Sequence, residues 1–193
     1  MNDFSVFDTV CERLLHAHGL SAENLSASLD LIGAHHVDYA DIYCQRTAFE
    51  SWHLEEGMVK SGSFQIDQGV GVRAVSGEKT AFAYADSLTD AAVRRAAETV
   101  RVIGAAGNSH PVRMPLQKAA AAPIHGDADP IASLDSPAKV ALLQKVEALA
   151  KAADPRIVQV MAGLTCEHDM VYIARMDGRH AADIRPLVRV SIT

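Results

Sequence analysis

The sequence has few of the features that mark secreted or membrane proteins. It has three cysteines in 193 residues, and their odd number and long spacings argue against a disulfide framework. No stretch approaches the ~20 apolar residues that a membrane span needs. The first residues lack the basic segment and apolar run of a secretory signal. These absences predict a cytoplasmic protein without a membrane partner.

Positive charge is scarce and scattered. The chain has 18 Lys and Arg residues against 24 Asp and Glu, which gives a net charge of -6, and its longest basic cluster is Arg94-Arg95. Because phosphate binding needs a focused positive surface, we expect no nucleic-acid partner. Apolar residues make up 49% of the chain, enough for the core of one large domain or two small ones.

The histidines do not form a metal-binding motif. There is no HExxH, HExxxH or His/Cys cluster and no GxSxG elbow. Consecutive residues of a strand point to opposite faces, so Glu167-His168-Asp169 cannot converge on one ion. Cys11 lies on an apolar helix face and is predicted to pack in the core. We therefore assign no catalytic, cofactor-binding or metal-binding residue; the other histidines weighed were His16, His18, His35, His36 and His53.

Apolar periodicity predicts an α+β fold, with helices packed on antiparallel sheet. Two helices come first; Gly19 ends the first helix and Ser21 caps the second. A third helix is capped by Thr89. Between them we predict four strands, with a turn at Ser61-Gly62: Val37–Arg46, Phe49–Lys60, Phe64–Val75 and Lys79–Ala85.

The second half begins after a segment rich in glycine, proline and alanine. Ser136-Pro137 is a helix start, with Ser136 as the cap. We predict two consecutive α+β units: a domain at 1–104, a linker at 105–135, and the start of a second domain at 136–193. The last predicted strand reaches the final residue, which suggests a protein truncated before a further domain. The predicted strands here are Arg156–Cys166, Asp169–Met176 and Asp183–Thr193.

Two glycines imitate nucleotide-binding motifs. Gly69 and Gly71 match GxGxxA, but that motif requires a strand that ends in a helix. The valines around them continue a strand pattern instead. A P-loop is also rejected, since its spacing is wrong and Glu78 would sit where phosphate must bind. We predict that these glycines relieve crowding or allow close backbone approach within the sheet.

Several segments resemble the N-terminal region of the TldD/PmbA (TldD/TldE) metallopeptidase family. The similarity spans most of the chain, is weakest between Gly104 and Asp135, and is closer to the TldD branch. The segments that carry it are Tyr39–Tyr43, Glu50–Trp52, Leu54-Glu55, Lys60–Ser63, Asp67–Asp86, Asp177-Gly178 and Ala181–Arg189.

The resemblance implies a cytoplasmic zinc metallopeptidase that acts on peptides or unfolded chains, often paired with a TldE/PmbA-like partner subunit. It further implies that an HExxxH helix and a cysteine hold the zinc in a C-terminal domain, and none of those residues occurs here. We therefore expect this chain to bind no zinc and to be inactive alone. Its expected role is to shape the substrate cavity and the interface with the partner, or with a second copy.

A hypothesis about the local role follows from the chemistry of sheets. An exposed strand edge can bind an extended peptide through main-chain hydrogen bonds, and the strands from Val37 to Ala85 are the candidates. The alternative is a stand-alone, non-catalytic binding or assembly module. An in-frame continuation of the coding sequence beyond Thr193 that encodes HExxxH would favour the peptidase.

Overall fold

The computed structural model describes residues 5–33, 37–102, 117–118 and 124–193. A first helical segment comprises α1 (Val6–Val10), a π-helical turn (Cys11–Leu15) and a 3-10 turn (His16–His18). The other helices are α2 (Ala22–Gly33), α3 (Asp90–Val100) and α4 (Ser136–Ala153). The strands are β1 (Tyr39–Glu55), β2 (Met58–Ser76), β3 (Lys79–Ala85), β4 (Gln117–Lys118), β5 (Met161–Arg175) and β6 (Arg179–Ile192).

The strands form one sheet in the order β3-β2-β1-β5-β6-β4. Five of them make an antiparallel sheet, and the short β4 pairs with β6 in parallel. The predicted α+β class is therefore confirmed. Contacts divide the described residues into two compact units. Unit 1 draws on Met1–Arg46, Asp67–Ile124 and Met170–Ile184, and unit 2 on Thr47–Ile66, His125–Asp169 and Arg185–Thr193.

These units differ in make-up from the predicted ranges 1–104 and 136–193. Each of the four long strands contributes one part to unit 1 and the other part to unit 2, so the units are interleaved in the sequence. The end of the predicted 105–135 linker also belongs to a unit, because Ile131 packs on the core of unit 2. Residues 103–116 and 119–123 lie outside the described residues.

Unit 1 has its core on one face of the sheet. Alternating strand residues meet the apolar stripes of the helices there, as a half-buried antiparallel sheet requires. The core residues include Val10, Leu14, Leu25, Leu29, Ile32, Ala40, Ile42, Val70, Val72, Ala74, Val93, Ala97, Met170, Tyr172 and Ile184.

Unit 2 packs α4 against its strands. Leu143 of α4 meets Leu54, Leu164 and Cys166 in a small apolar core. The same helix face carries a buried ion pair: Lys139 Nζ donates to Glu50 at 2.5 Å and to the Ile131 carbonyl at 2.6 Å. Sequence reasoning missed this pair, because the two residues are 89 positions apart and neither local pattern indicates the other.

α4 also holds the turn between β1 and β2. The Gly57 N–H donates to Glu147 at 2.7 Å, and Gln144 donates to the Gly57 carbonyl at 3.0 Å. Glu56 and Gly57 have positive φ angles of 52° and 71°. Two such residues in succession suit a tight hairpin, so the predicted turn at Ser61-Gly62 is wrong.

Several local predictions agree with the observed ends of the helices. Gly19 is left-handed, with φ 72°. Ser21 and Thr89 each accept a backbone N–H at 3.3 Å, from Asn24 and Ala92. The predicted cap of α4 is wrong, because Asp135 and not Ser136 accepts the Ala138 N–H, at 2.8 Å. Aspartate and serine are both good helix caps. Pro137 lies in the first turn of the helix whichever of the two residues is the cap.

A buried polar pair links β5 and β6 in unit 1. The Tyr172 hydroxyl and His180 Nδ1 are hydrogen-bonded at 2.6 Å, and both side chains are buried. Burial lowers the pKa of His180, although the carboxylates of Glu23 and Asp177 act in the opposite direction. Burial also raises the pKa of Tyr172. Both shifts keep the pair neutral inside the core.

We expect Lys139→Met to destabilise unit 2 by about 3–5 kcal/mol, because it leaves the Glu50 carboxylate buried without its cation. The double variant Glu50→Leu/Lys139→Met should recover most of that loss. Denaturant unfolding followed by the fluorescence of Trp52, which packs on this core, measures the effect. Lys145→Met, at an exposed position of the same helix, is the control. Equal stability of Lys139→Met and Lys145→Met would contradict the assignment.

We expect acidification to weaken unit 1 through His180. The unfolded chain takes up this proton near pH 6.5 and the folded chain only at lower pH, so stability falls as the pH drops below 6.5. His180→Gln should reduce this loss when the free energy of unfolding is measured between about pH 5 and 8. His53→Gln, at an exposed position, controls for the loss of a histidine. A variant with the wild-type pH profile would contradict the prediction.

Candidate functional site

The outer edge of β3 is the feature of unit 1 that suits binding. β3 ends the sheet, and among the described residues β2 is its neighbouring strand. The register pairs Val72 with Ala83 and Arg73 with Phe82. This pairing determines which backbone N–H and C=O groups of β3 are not bonded to β2.

One hydrogen bond at the end of the ladder settles the orientation. The Asp38 N–H donates to the Val75 carbonyl at 2.8 Å, so the backbone of Val75 points away from β3. In an antiparallel strand this direction alternates with every residue. Ala74, Val72 and Val70 therefore bond to β3. The residues of β3 that alternate with their partners direct N–H and C=O groups to the open edge; these are Thr80, Phe82 and Tyr84.

Gly69 and Gly71 make this edge pairing possible. A Cβ at Gly69 would lie 2.6 Å from the Ala85 carbonyl oxygen, and one at Gly71 would lie 3.1 Å from the Phe82 ring. The prediction of close backbone approach and relief of crowding is confirmed. Both glycines lie inside β2, and no helix follows them. The strand-to-helix turn of a dinucleotide site is absent at this position.

The solvent face of the edge is aromatic. Phe82 is 62% exposed and Tyr84 80% exposed, and their rings stack with centroids 6.3 Å apart. Beside them Arg73 binds the Asp41 carboxylate through two nitrogens, at 2.6 and 3.0 Å. Its guanidinium also lies 5.4 Å from the centre of the Tyr39 ring. This network immobilises Arg73 and leaves the two aromatic rings available to a ligand.

The other face of the edge forms a groove with α3. Its volume is about 330 Å³, and it runs between the end of β3 and the exposed side of the helix. Five of the lining residues are alanines, and their short side chains leave this space open. Arg95 is the cation of the groove, and it forms no ion pair with any described residue. The lining includes Ala83, Tyr84, Ala85, Asp86, Ser87, Thr89, Ala91, Ala92, Arg95, Ala96 and Thr99.

The histidines and acids weighed from the sequence are separate in the structure. His16 pairs with Glu12 at 3.1 Å, His18 with the Leu14 carbonyl at 3.1 Å, and Asp169 with the Thr47 hydroxyl at 2.8 Å. His35 and His36 lie outside the described residues. In the part of the chain that is described, no three His, Cys, Asp or Glu side chains are grouped so as to hold a metal ion.

The cysteines belong to the packing of the protein. Cys44 is buried, and desolvation raises the pKa of its thiol to about 12. Desolvation also raises the pKa of Cys166. Cys11 is partly buried against the core of unit 1. A raised pKa disfavours the thiolate that nucleophilic chemistry needs. Among the described helices, none is long and apolar enough to cross a bilayer.

Sequence reasoning missed the groove. Helical periodicity indicates only that a residue such as Arg95 is exposed, not what lies beside it. The strand order that puts β3 at the edge beside α3 is the missing information. The one available signal was the short segment 86–89 between the two elements, which places a helix next to the strand that precedes it.

Comparison with known proteins shows family likeness along both halves. Residues 40–107 match the model of PmbA/TldA metallopeptidase domain 1, and residues 129–193 match the model of the PmbA/TldA metallopeptidase central domain. Between them the two models match more than half of the chain.

Curated relatives give the same result. The chain is 42% identical to the metalloprotease TldD homolog of Haemophilus influenzae, over 97% of this chain and 39% of that protein. It is 36% identical to the metalloprotease TldD homolog of Buchnera aphidicola subsp. Schizaphis graminum, over 96% of this chain and 38% of that one. The chain thus spans about two fifths of the length of these relatives.

Solved structures share the fold at low sequence identity. A protein described as a modulator of DNA gyrase from Bacteroides thetaiotaomicron matches with a TM-score of 0.65 and 13% identity, over 88% of this chain and 40% of that one. TldE from Thermococcus kodakarensis matches with a TM-score of 0.55 and 17% identity, over 89% of this chain and 39% of that one. At these identities the likeness concerns the fold.

We expect Gly69→Ala to destabilise the β2–β3 pairing by about 1–3 kcal/mol, because the new methyl group would overlap the Ala85 carbonyl. Gly126→Ala is the matched control, since a Cβ there meets nothing within 4 Å. Its effect should stay within about 0.5 kcal/mol. Chemical denaturation followed by circular dichroism measures both. Equal stability of the two variants would contradict the close approach.

Proposed function

The chain belongs to the PmbA/TldD metallopeptidase family, and on that premise we propose that it forms the N-terminal part of a TldD-like zinc metallopeptidase acting on peptides and unfolded chains. The proposal is supported by the sequence identity of this chain to relatives named metalloproteases, and by the fraction of their length that the chain spans. We propose that residues 1–104 form the first domain of this enzyme, 105–135 a connection, and 136–193 the start of the central domain.

The metal of such an enzyme does not fit the described residues, since they bring no ligand set together. We therefore place the zinc outside them and derive no catalytic step here. The proposed contribution of this chain is to bind and orient the substrate, and to supply part of a subunit interface in the cytoplasm.

The observation that carries the binding role is the open edge of β3. Three residues direct N–H and C=O groups outward, and a peptide in extended conformation satisfies them whatever its side chains are. Natural edge strands are usually protected by charge, proline or a bulge. The residues between Lys79 and the end of β3 carry no charge and no proline. Such an edge suits a protein that must accept many sequences.

Unit 2 carries the surface that we propose for a TldE/PmbA-like subunit or a second copy. Most of its half of β6 is exposed although apolar, as is Phe64 on β2, and exposed apolar surface of this kind typically marks an interface. The β6 residues are Leu187, Val188, Val190 and Ile192, with exposures of 46–57%.

The alternative is a non-catalytic binding or assembly module. The open edge of β3 fits this alternative too, because such an edge binds peptide without any catalytic group. Metal analysis and peptidase assay of the full-length natural product separate the two. Stoichiometric zinc with peptide cleavage supports the enzyme, and neither supports the module.

We expect the chain to bind a fluorescein-labelled extended peptide, and Phe82→Pro to weaken that binding. Proline removes the outward N–H of residue 82 without removing a bond to β2, since edge positions tolerate it. Compared with Phe82→Ala, which keeps the N–H, affinity should fall about 3- to 10-fold, the contribution of one hydrogen bond. Fluorescence anisotropy measures both variants.

A peptide N-methylated at every residue provides a second test, because it has lost the N–H donors on both of its edges. We expect it not to bind. Circular dichroism verifies that both variants are folded. Equal affinity of Phe82→Pro and Phe82→Ala, together with binding of the methylated peptide, would refute the edge as the site.

A further inference from the structure

We propose that the groove between β3 and α3 selects extended peptides that carry an acidic side chain, which pairs with Arg95. This inference rests on the proposed function, since it gives the open edge of β3 a side-chain preference. Its basis is the position of Arg95, which pairs with no described carboxylate, beside a strand edge that no described strand covers.

The geometry of an added strand leads to this pairing. Side chains of a strand alternate between the two faces of the sheet. Ala83 and Ala85 lie on the core face of β3, where they pair with Val72 and Val70. Every second side chain of an added peptide therefore enters the groove beside α3. The side chains between them lie next to Phe82 and Tyr84 on the solvent face.

The dimensions of the groove suit several residues of such a peptide. Thr89 and Thr99 line the groove and are ten helical residues apart, a length of about 15 Å. An extended chain covers that length with about four or five residues. Two or three of their side chains face the groove, where the alanines of β3 and α3 leave about 330 Å³.

Charge decides which side chain fits. Arg95 is exposed and forms no ion pair with a described carboxylate, although Asp86 lines the same groove. Its neighbour Arg94 lies on another side of the helix, in a cavity that Asp30 and Asp90 also line. Arg95 is thus the groove cation without a carboxylate partner among the described residues, and we propose that the ligand supplies one.

The position of Arg95 indicates an internal acidic residue of the ligand instead of a terminal carboxylate. The groove continues beyond Arg95 in both directions, towards Ala91 on one side and Thr99 on the other. A peptide that ended at Arg95 would leave half of the groove empty. A peptide with an aspartate or glutamate at an internal position extends along both halves of the groove, and its carboxylate pairs with the guanidinium.

The test compares labelled peptides that differ in one residue, glutamate or glutamine, both with amidated C-termini. We expect the wild-type chain to bind the glutamate peptide about 5-fold more tightly, the upper range for an exposed ion pair. Arg95→Glu should reverse this preference, because a glutamate at position 95 repels the glutamate peptide. Arg94→Glu changes the net charge equally and should keep the preference. Asp86→Asn should strengthen binding of the glutamate peptide.

The outcomes separate this inference from the proposed function. Equal binding of both peptides by the wild-type chain overturns the acidic preference and leaves the open edge as a binding site. Failure of both peptides to bind overturns the edge as well. A preference that appears only with a free C-terminal carboxylate overturns the internal position of the acid. Loss of the preference in Arg94→Glu to the same extent as in Arg95→Glu overturns the groove.

Discussion

The alternating direction of backbone groups in an antiparallel strand is the constraint on which the site depends. β3 has β2 as its neighbour, so half of its N–H and C=O groups join the ladder and half point outward. The outward groups need partners, and water or another polypeptide can provide them. Everything proposed for this chain begins with that open row of donors and acceptors.

Two glycines of β2 allow the close approach of β2 to β3. Gly69 allows the Ala85 carbonyl to come near, and Gly71 gives space to the Phe82 ring. The Phe82 ring lies over Gly71 and stacks with the Tyr84 ring on the solvent face. The glycines that imitate a nucleotide motif therefore serve the geometry of a strand edge.

Unit 2 depends on a different interaction, the contact of α4 with the hairpin of β1 and β2. The Glu50–Lys139 pair is buried, and Glu147 receives the Gly57 N–H at the turn. A buried ion pair contributes little net stability, but the loss of one partner is costly. Because any displacement of α4 would separate Lys139 from Glu50, the pair fixes the position of the helix on the strands of unit 2.

Much of the local structure could be predicted from the sequence. Gly19, Ser21 and Thr89 ended or began helices where expected, because capping depends on residues close in the chain. The turn at Glu56-Gly57 was missed, since Ser61-Gly62 is the more usual turn composition and α4 selects the actual turn. Strand lengths were underestimated for the same reason: pairing with distant strands, not local preference, decides where a strand ends.

The sequence by itself determined the α+β class, the helix ends at Gly19, Ser21 and Thr89, the role of the two glycines and the family resemblance. All of these are encoded in short-range patterns of residues. Only the tertiary structure decided that β3 lies at the edge, that Arg95 faces a groove, and that Lys139 meets Glu50 across 89 positions of the chain. Such contacts are set by strand order and helix packing, and periodicity within one segment contains no information about its neighbours in space.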